Sequence, residues 1–155
     1  VATFWDGASR DDAAAALAQA RELAACRPGG DPAALFELAS AHDYVGEEAE
    51  AIGLYEEAIA GGLDARRHDE AVIQLASSLR NVDRSADAVA LLEATPVAAA
   101  LAPAAAGFLA LALHDLGRHA DAMRVALGAV SPTQYSGALT RYASDLDPRA
   151  SSMEP

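Results

Sequence analysis

The sequence predicts an all-α fold, a stack of antiparallel helix hairpins closed by a last helix. Three observations lead there. Apolar residues make up 52% of the chain but aromatics only 5%, so alanine, the strongest helix former, supplies much of the apolar count. Alternating β-branched runs are absent. One pattern also recurs: LFELASAHDYVGEEAEAIGLYEEA is followed by LASSLRNVDRSADAVALLEAT and LALALHDLGRHADAMRVALGA. Leu38, Ala39, His42, Gly46, Ala51, Tyr55 and Ala58 align with Leu75, Ala76, Leu79, Asp83, Ala88, Leu92 and Thr95. They align again with Leu109, Ala110, Leu113, Gly117, Ala122, Ala126 and Ala129. The copies stand 37 residues apart (38 to 75) and then 34 (75 to 109), within the range of helical repeat arrays.

The 155 residues suffice for one domain, expected over residues 1–147, with a tail at 148–155. A lead helix is predicted at 11–26, with Ala13, Leu17, Ala20, Leu23 and Ala24 on its apolar side. Phe4 and Trp5 before it read as a staple on that helix or as a contact for another copy. Pro28-Gly29-Gly30 breaks the chain.

Hairpins follow at about 32–62, 68–95 and 103–130. Asp31 is placed to cap the first, and Pro32 suits a first helical position because its missing N–H would have no partner there. Gly46 suits the left-handed turn between its helices. Glu47, Glu48 and Glu50 load the start of its second helix, where carboxylates meet the positive end of the dipole. Gly53, inside that helix, costs about 1 kcal/mol relative to alanine and reads as room for a neighbouring helix. Residues 61–67 read as a loop, and Pro103 belongs in the first turn of its helix. A capping helix is expected at 132–146, with Tyr135, Leu139, Tyr142 and Leu146 facing the array and Ser136, Thr140, Arg141 and Ser144 facing water.

Charge and composition exclude several function classes. A net charge of −12 opposes nucleic acid and anionic membrane surfaces as partners, because both select basic faces. Cys26 is the only cysteine, so neither a disulfide framework nor a thiolate metal cluster is available. No apolar run reaches membrane-spanning length, and cytoplasm is the default compartment.

On the residues aligned above, the chain resembles the tetratricopeptide repeat family, over about residues 32–130. The family sets a large apolar residue, Leu-Gly/Ala, an aromatic and a turn Gly in its first helix, and Ala, an aromatic and Ala in its second. The chain departs from that frame at Asp83, Thr95 and Ala126 and has no Trp at the usual first position. The hairpins also resemble a small bacterial subfamily of such repeats with no established activity.

The resemblance implies a right-handed superhelical array and a non-catalytic scaffold that binds a protein or peptide in a concave groove lined by the first helices. Carried over by position, the groove residues are Phe36, Ser40, Asp43 and Tyr44; Glu70, Ile73, Ser77, Arg80 and Asn81; and Gly107, Leu111, His114 and Asp115. Asp43, Arg80 and His114 would stack in one row and Tyr44, Asn81 and Asp115 in another. Tyr44, Ile73 and Leu111 would be apolar contacts, with Arg80 and Asn81 holding a carboxylate or backbone. A competing arrangement has Asp43, Arg80 and Asp115 pairing among themselves, with the chain's own ends filling the groove. Self-association as a homodimer is the alternative function.

A metal-dependent enzyme is the weaker rival. His42-Asp43, His68-Asp69 and His114-Asp115 recur, with His119 and Asp121 near the last. The spacing of His114 and His119 crosses a helix–helix turn, which predicts that the two are aimed differently, unlike an i, i+4 pair on one face, and His42 falls at a core position. No phosphate loop, nucleophile elbow or Cys–His pair appears, so neither cofactor nor metal is expected.

Overall fold

The computed structural model describes residues 10–130 and 136–146. Among them it has eight helices and no strand: α1 (Arg10–Ala25), α2 (Pro32–Val45), α3 (Glu48–Gly61), α4 (Ala65–Asn81), α5 (Ser85–Ala94), α6 (Ala102–Asp115), α7 (His119–Gly128) and α8 (Ser136–Asp145). Each helix packs on the next, so α2/α3, α4/α5 and α6/α7 are the three hairpins, led by α1 and followed by α8. Phe4, Trp5, Pro132, Tyr135 and the expected tail lie outside the described residues.

Local chemistry sets the helix ends. Asp31 Oδ1 accepts from Ala34 N at 3.0 Å, which satisfies one of the four unpaired N–H groups at the start of α2. Asp64 does the same for Arg67 N at 3.2 Å, so α4 begins at Ala65 and not near His68. Residues 65–67, expected as loop, are thus the first turn of α4, started early by the Asp64 cap. Pro103 sits in the first turn of α6, which has no side-chain cap. Within each hairpin the turn residue is left-handed: Gly46 at φ 83°, Asp83 at φ 61° and Gly117 at φ 74°. Aspartate tolerates that region better than most side chains, so the departure at Asp83 leaves the turn intact.

The core gathers Phe36, Ala39, Ala51, Tyr55 and Ala58 of the first hairpin with Ala71, Leu75, Leu79 and Ala88 of the second. Leu113 and Ala122 extend it into the third. The Phe36 and Tyr55 rings meet tilted, 6.2 Å apart. A buried hydroxyl needs a partner, and Tyr55 has two. Its O–H donates to Gln74 Oε1, which also accepts from Ser40 Oγ at 2.9 Å, and the Ser40 oxygen lies 3.3 Å from the phenol. Burial pushes the Tyr55 phenol well above its usual range, so it is a permanent donor here.

Two glycines behave differently from expectation. A Cβ on Gly53 would meet nothing within 4 Å, so this residue does not make room for a helix. Gly61 does: a Cβ there would lie 2.8 Å from Pro32 Cγ, where the end of α3 crosses the start of α2.

The capping face of α8 is also rotated from its predicted position. Ala143 is buried, whereas Tyr142 is 63% exposed and Leu146 is exposed as well. Thr140, Arg141 and Ser144 face solvent as expected. On α1, Ala16 and Leu17 are buried while Leu23 is exposed. In both helices the apolar stripe is wider than the contact its neighbour offers.

The first helices of successive hairpins touch, α2 with α4 and α4 with α6. No comparably close pairing joins α3 to α5 or α5 to α7 among the described residues. Helices that approach more closely lie on the inside of a curve, so α2, α4 and α6 form the inner face.

Candidate partner-binding face

The inner face is built from α2, α4 and α6. Its residues fall into a buried layer, a hydrogen-bonded layer and an accessible edge. Phe36 is 2% and Ile73 7% exposed, so both belong to the core and are withdrawn from the accessible surface. Family position alone could not show this, because a helix residue flanking a groove is also the one that wedges between neighbouring helices. Ser40 lies in the Tyr55–Gln74 network, and Tyr44 and Ser77 are half-buried. Glu70 turns back to Arg66, one helical turn earlier, at 3.0 Å.

Asp43 Oδ1 accepts from Ser78 Oγ at 3.0 Å, a bond that links the first two hairpins. Burial raises its pKa above the usual 3.8, the Ser78 bond opposes that shift, and Glu48 adds to it. Arg80 reaches the third hairpin: its Nε lies 2.5 Å from Asp115 Oδ2, without hydrogen-bond geometry. Ser85 Oγ stands 3.5 Å from the same carboxylate oxygen. Asn81 Nδ2 approaches Glu48 Oε1 at 3.4 Å. The expected rows are therefore crossed: Arg80 of one pairs with Asp115 of the other, and Asp43 takes a serine in place of a cation.

What remains accessible is the edge made by Asn81, Leu111, His114 and Asp115, with Gly107 exposed one turn before Leu111. Leu111 is 46% exposed, unusual for a leucine on a helix whose next two residues, Ala112 and Leu113, are buried. Gln74, Ser78 and Ser85 were missed in the sequence. The signal for Gln74 and Ser78 was present: both are polar residues among the apolar positions of α4, where an unpaired polar group would be costly.

The recurring His-Asp pairs do not share one geometry. His42 turns away from Asp43 and meets Glu47 Oε2 at 2.7 Å, buried under the hairpin turn. His68 Nδ1 lies 3.4 Å from Asp69 Oδ1, and Asp69 accepts from Ala98 N at 2.9 Å. His114 Nδ1 is 3.9 Å from Asp115 Oδ1. The rings of His114 and His119 are 4.7 Å apart and tilted by 53°, so the turn brings them close while holding them at different orientations. Among the described residues no group of three or more His, Cys, Asp or Glu is arranged to hold a metal ion.

A cleft of about 490 Å3 opens between α1 and α2, floored by Ala16, Ala20, Ala33 and Ala34 and rimmed by Arg27 and Arg67. None of the predicted groove residues lines it.

The model of the family described as Tetratrico peptide repeat matches residues 32–146. The chain belongs to that family. The match spans all three hairpins and α8 and starts at Pro32, the first residue of α2. Repeats of this family generally mediate protein–protein interaction, and its members are typically non-catalytic scaffolds. No match was found among curated proteins or among solved structures. No helix among the described residues is long and apolar enough to cross a membrane.

Proposed function

We propose that the protein is a non-catalytic scaffold that holds a peptide or protein segment against the inner face of α2, α4 and α6. The observation that supports this most is the accessible edge beside the Arg80–Asp115 pair, where Asn81, Leu111 and His114 offer an amide, an apolar surface and an imidazole. Tyr44 extends the same face on α2. The stacked hairpins present these groups on a rigid support, which lowers the ordering cost of binding. The single cysteine suits a reducing cytoplasm as the working compartment.

The test is to select peptides from a displayed library on the wild-type protein and measure the best by fluorescence anisotropy. Leu111→Asp and Asn81→Asp are expected to weaken binding by about tenfold or more, the scale of a contact worth about 1.4 kcal/mol, with helicity and melting unchanged. Equal affinity in both variants would overturn the reading.

A second reading, self-association, is favoured by one specific observation. Apart from Leu23, the exposed large apolar side chains all fall late in the described chain: Leu111, Leu116, Met123, Val130, Tyr142 and Leu146. Light scattering across a hundredfold concentration range separates the two, since a strict monomer throughout would remove self-association.

A further inference from the structure

We propose that His114 and His119 form a two-imidazole site for a divalent ion from the copper-to-zinc end of the first transition series. His114 is in the last turn of α6 and His119 is the first residue of α7. The turn between them is closed by two backbone hydrogen bonds. Gly117 is left-handed, its N–H donates to His114 O at 2.9 Å, and Arg118 N–H donates to Leu113 O at 2.9 Å. This turn folds α7 back and sets the two ring centres 4.7 Å apart.

That separation suits one shared ion. With metal–nitrogen bonds of about 2.0 Å and ring centres about 1.1 Å beyond, two imidazoles lie about 4.4 Å apart at a right angle and about 5.1 Å at a tetrahedral angle. Both histidines are exposed, so an ion needs no entry path and water completes its shell. Asp115 Oδ1 stands 3.9 Å from His114 Nδ1, beyond hydrogen-bond reach, so it does not occupy that ring nitrogen. The nearby carboxylates are engaged elsewhere: Asp115 with Arg80, and Asp121 with Arg118 and Arg124. Two neutral imidazoles without a carboxylate select copper and zinc over magnesium and calcium. The bound ion would staple α6 to α7 in the hairpin with the fewest buried side chains.

The experiment titrates CuCl2, then ZnCl2, into wild type, His119→Ala, His119→Gln and a His68→Ala control. Calorimetry gives the affinity, electron paramagnetic resonance the nitrogen ligands, and circular dichroism the fold. The expected result is one Cu(II) per chain with two imidazole nitrogens, and weakening by about tenfold or more in both His119 variants, at least what supporting residues of metal sites contribute. His68→Ala should bind as wild type does. Zinc should raise the melting temperature of wild type and not of the His119 variants. Affinity unchanged in the His119 variants, an equal loss in His68→Ala, or a single-nitrogen spectrum would each overturn the site.

Discussion

The first and third hairpins share one sequence pattern and differ in how much of it they bury. In α2 and α3, Phe36, Ala39, Ala41, His42, Ala51, Ile52, Tyr55 and Ala58 are buried. In α6 and α7 only Ala112, Leu113 and Ala122 are. The equivalent position holds Tyr55 in the first hairpin, Leu92 in the second and Ala126 in the third, passing from buried through half-buried to exposed. The first hairpin is sandwiched between α1 and the second, whereas Ala143 alone of the described side chains of α8, which packs on the third, is buried. Repeat stability is the sum of each unit and its interfaces, so the same pattern yields a firm hairpin inside the stack and a looser one at its end.

Replacing Tyr55 by alanine gives the first hairpin the third hairpin's residue and should have the largest effect. Loss of a fully buried ring, with Gln74 and Ser40 left behind, is expected to cost about 3–5 kcal/mol in urea unfolding, against about 0.5 kcal/mol or less for Leu111→Ala. Comparable costs for the two would erase the contrast between the hairpins.

Next comes Gly61→Ala. Its Cβ would collide with the Pro32 ring, which cannot swing aside, so a loss of about 1–3 kcal/mol is expected. Gly53→Ala in the same helix has open space and should gain about 0.5–1 kcal/mol. Thermal melts of the pair measure the difference, and two shifts of the same sign would contradict the placement of α3 on Pro32.

Caps sharpen the comparison further. α2 begins with an aspartate that caps it and α6 has no side-chain cap. Asp31→Ala should therefore lower stability by about 1 kcal/mol, read from the urea midpoint, and bring the first hairpin nearer the third.

The smallest effect is a pH slope. The folded-state pKa of Asp43 is raised, so the native state holds its proton more tightly than the unfolded chain does. Its contribution is fully present below about pH 3.8 and is lost as pH rises through the folded value. Relative to Asp43→Asn, the wild type should thus lose stability with rising pH across that window and run parallel to it near neutrality. Paired urea titrations at several pH values check this, and a slope of opposite sign would show that the Ser78 bond outweighs burial.

Much of the fold was legible because it is local. Gly46 and Gly117 end helices by adopting a left-handed φ, Asp31 caps its own helix, and the recurring Leu-Ala pair marks each first helix. The candidate face was legible only as a set of positions. Arg80 pairs with Asp115 and Leu111 stays exposed, but Phe36 and Ile73 sink into the core, and Gln74 and Ser78 tie the hairpins together unannounced. Helical spacing shows which side of a helix a residue occupies; it does not show how near the neighbouring helix comes.

The sequence by itself determined the all-α class, the hairpin repeat and its turns, since each depends on contacts between residues a few positions apart. Tertiary structure alone decided the rest. It crossed Arg80 to Asp115, buried His42 against Glu47, turned Tyr142 outward and brought His114 against His119. Those outcomes depend on how hairpins tilt and how tightly a turn folds back. Both are set by packing summed over many small side chains, which no single residue spacing encodes.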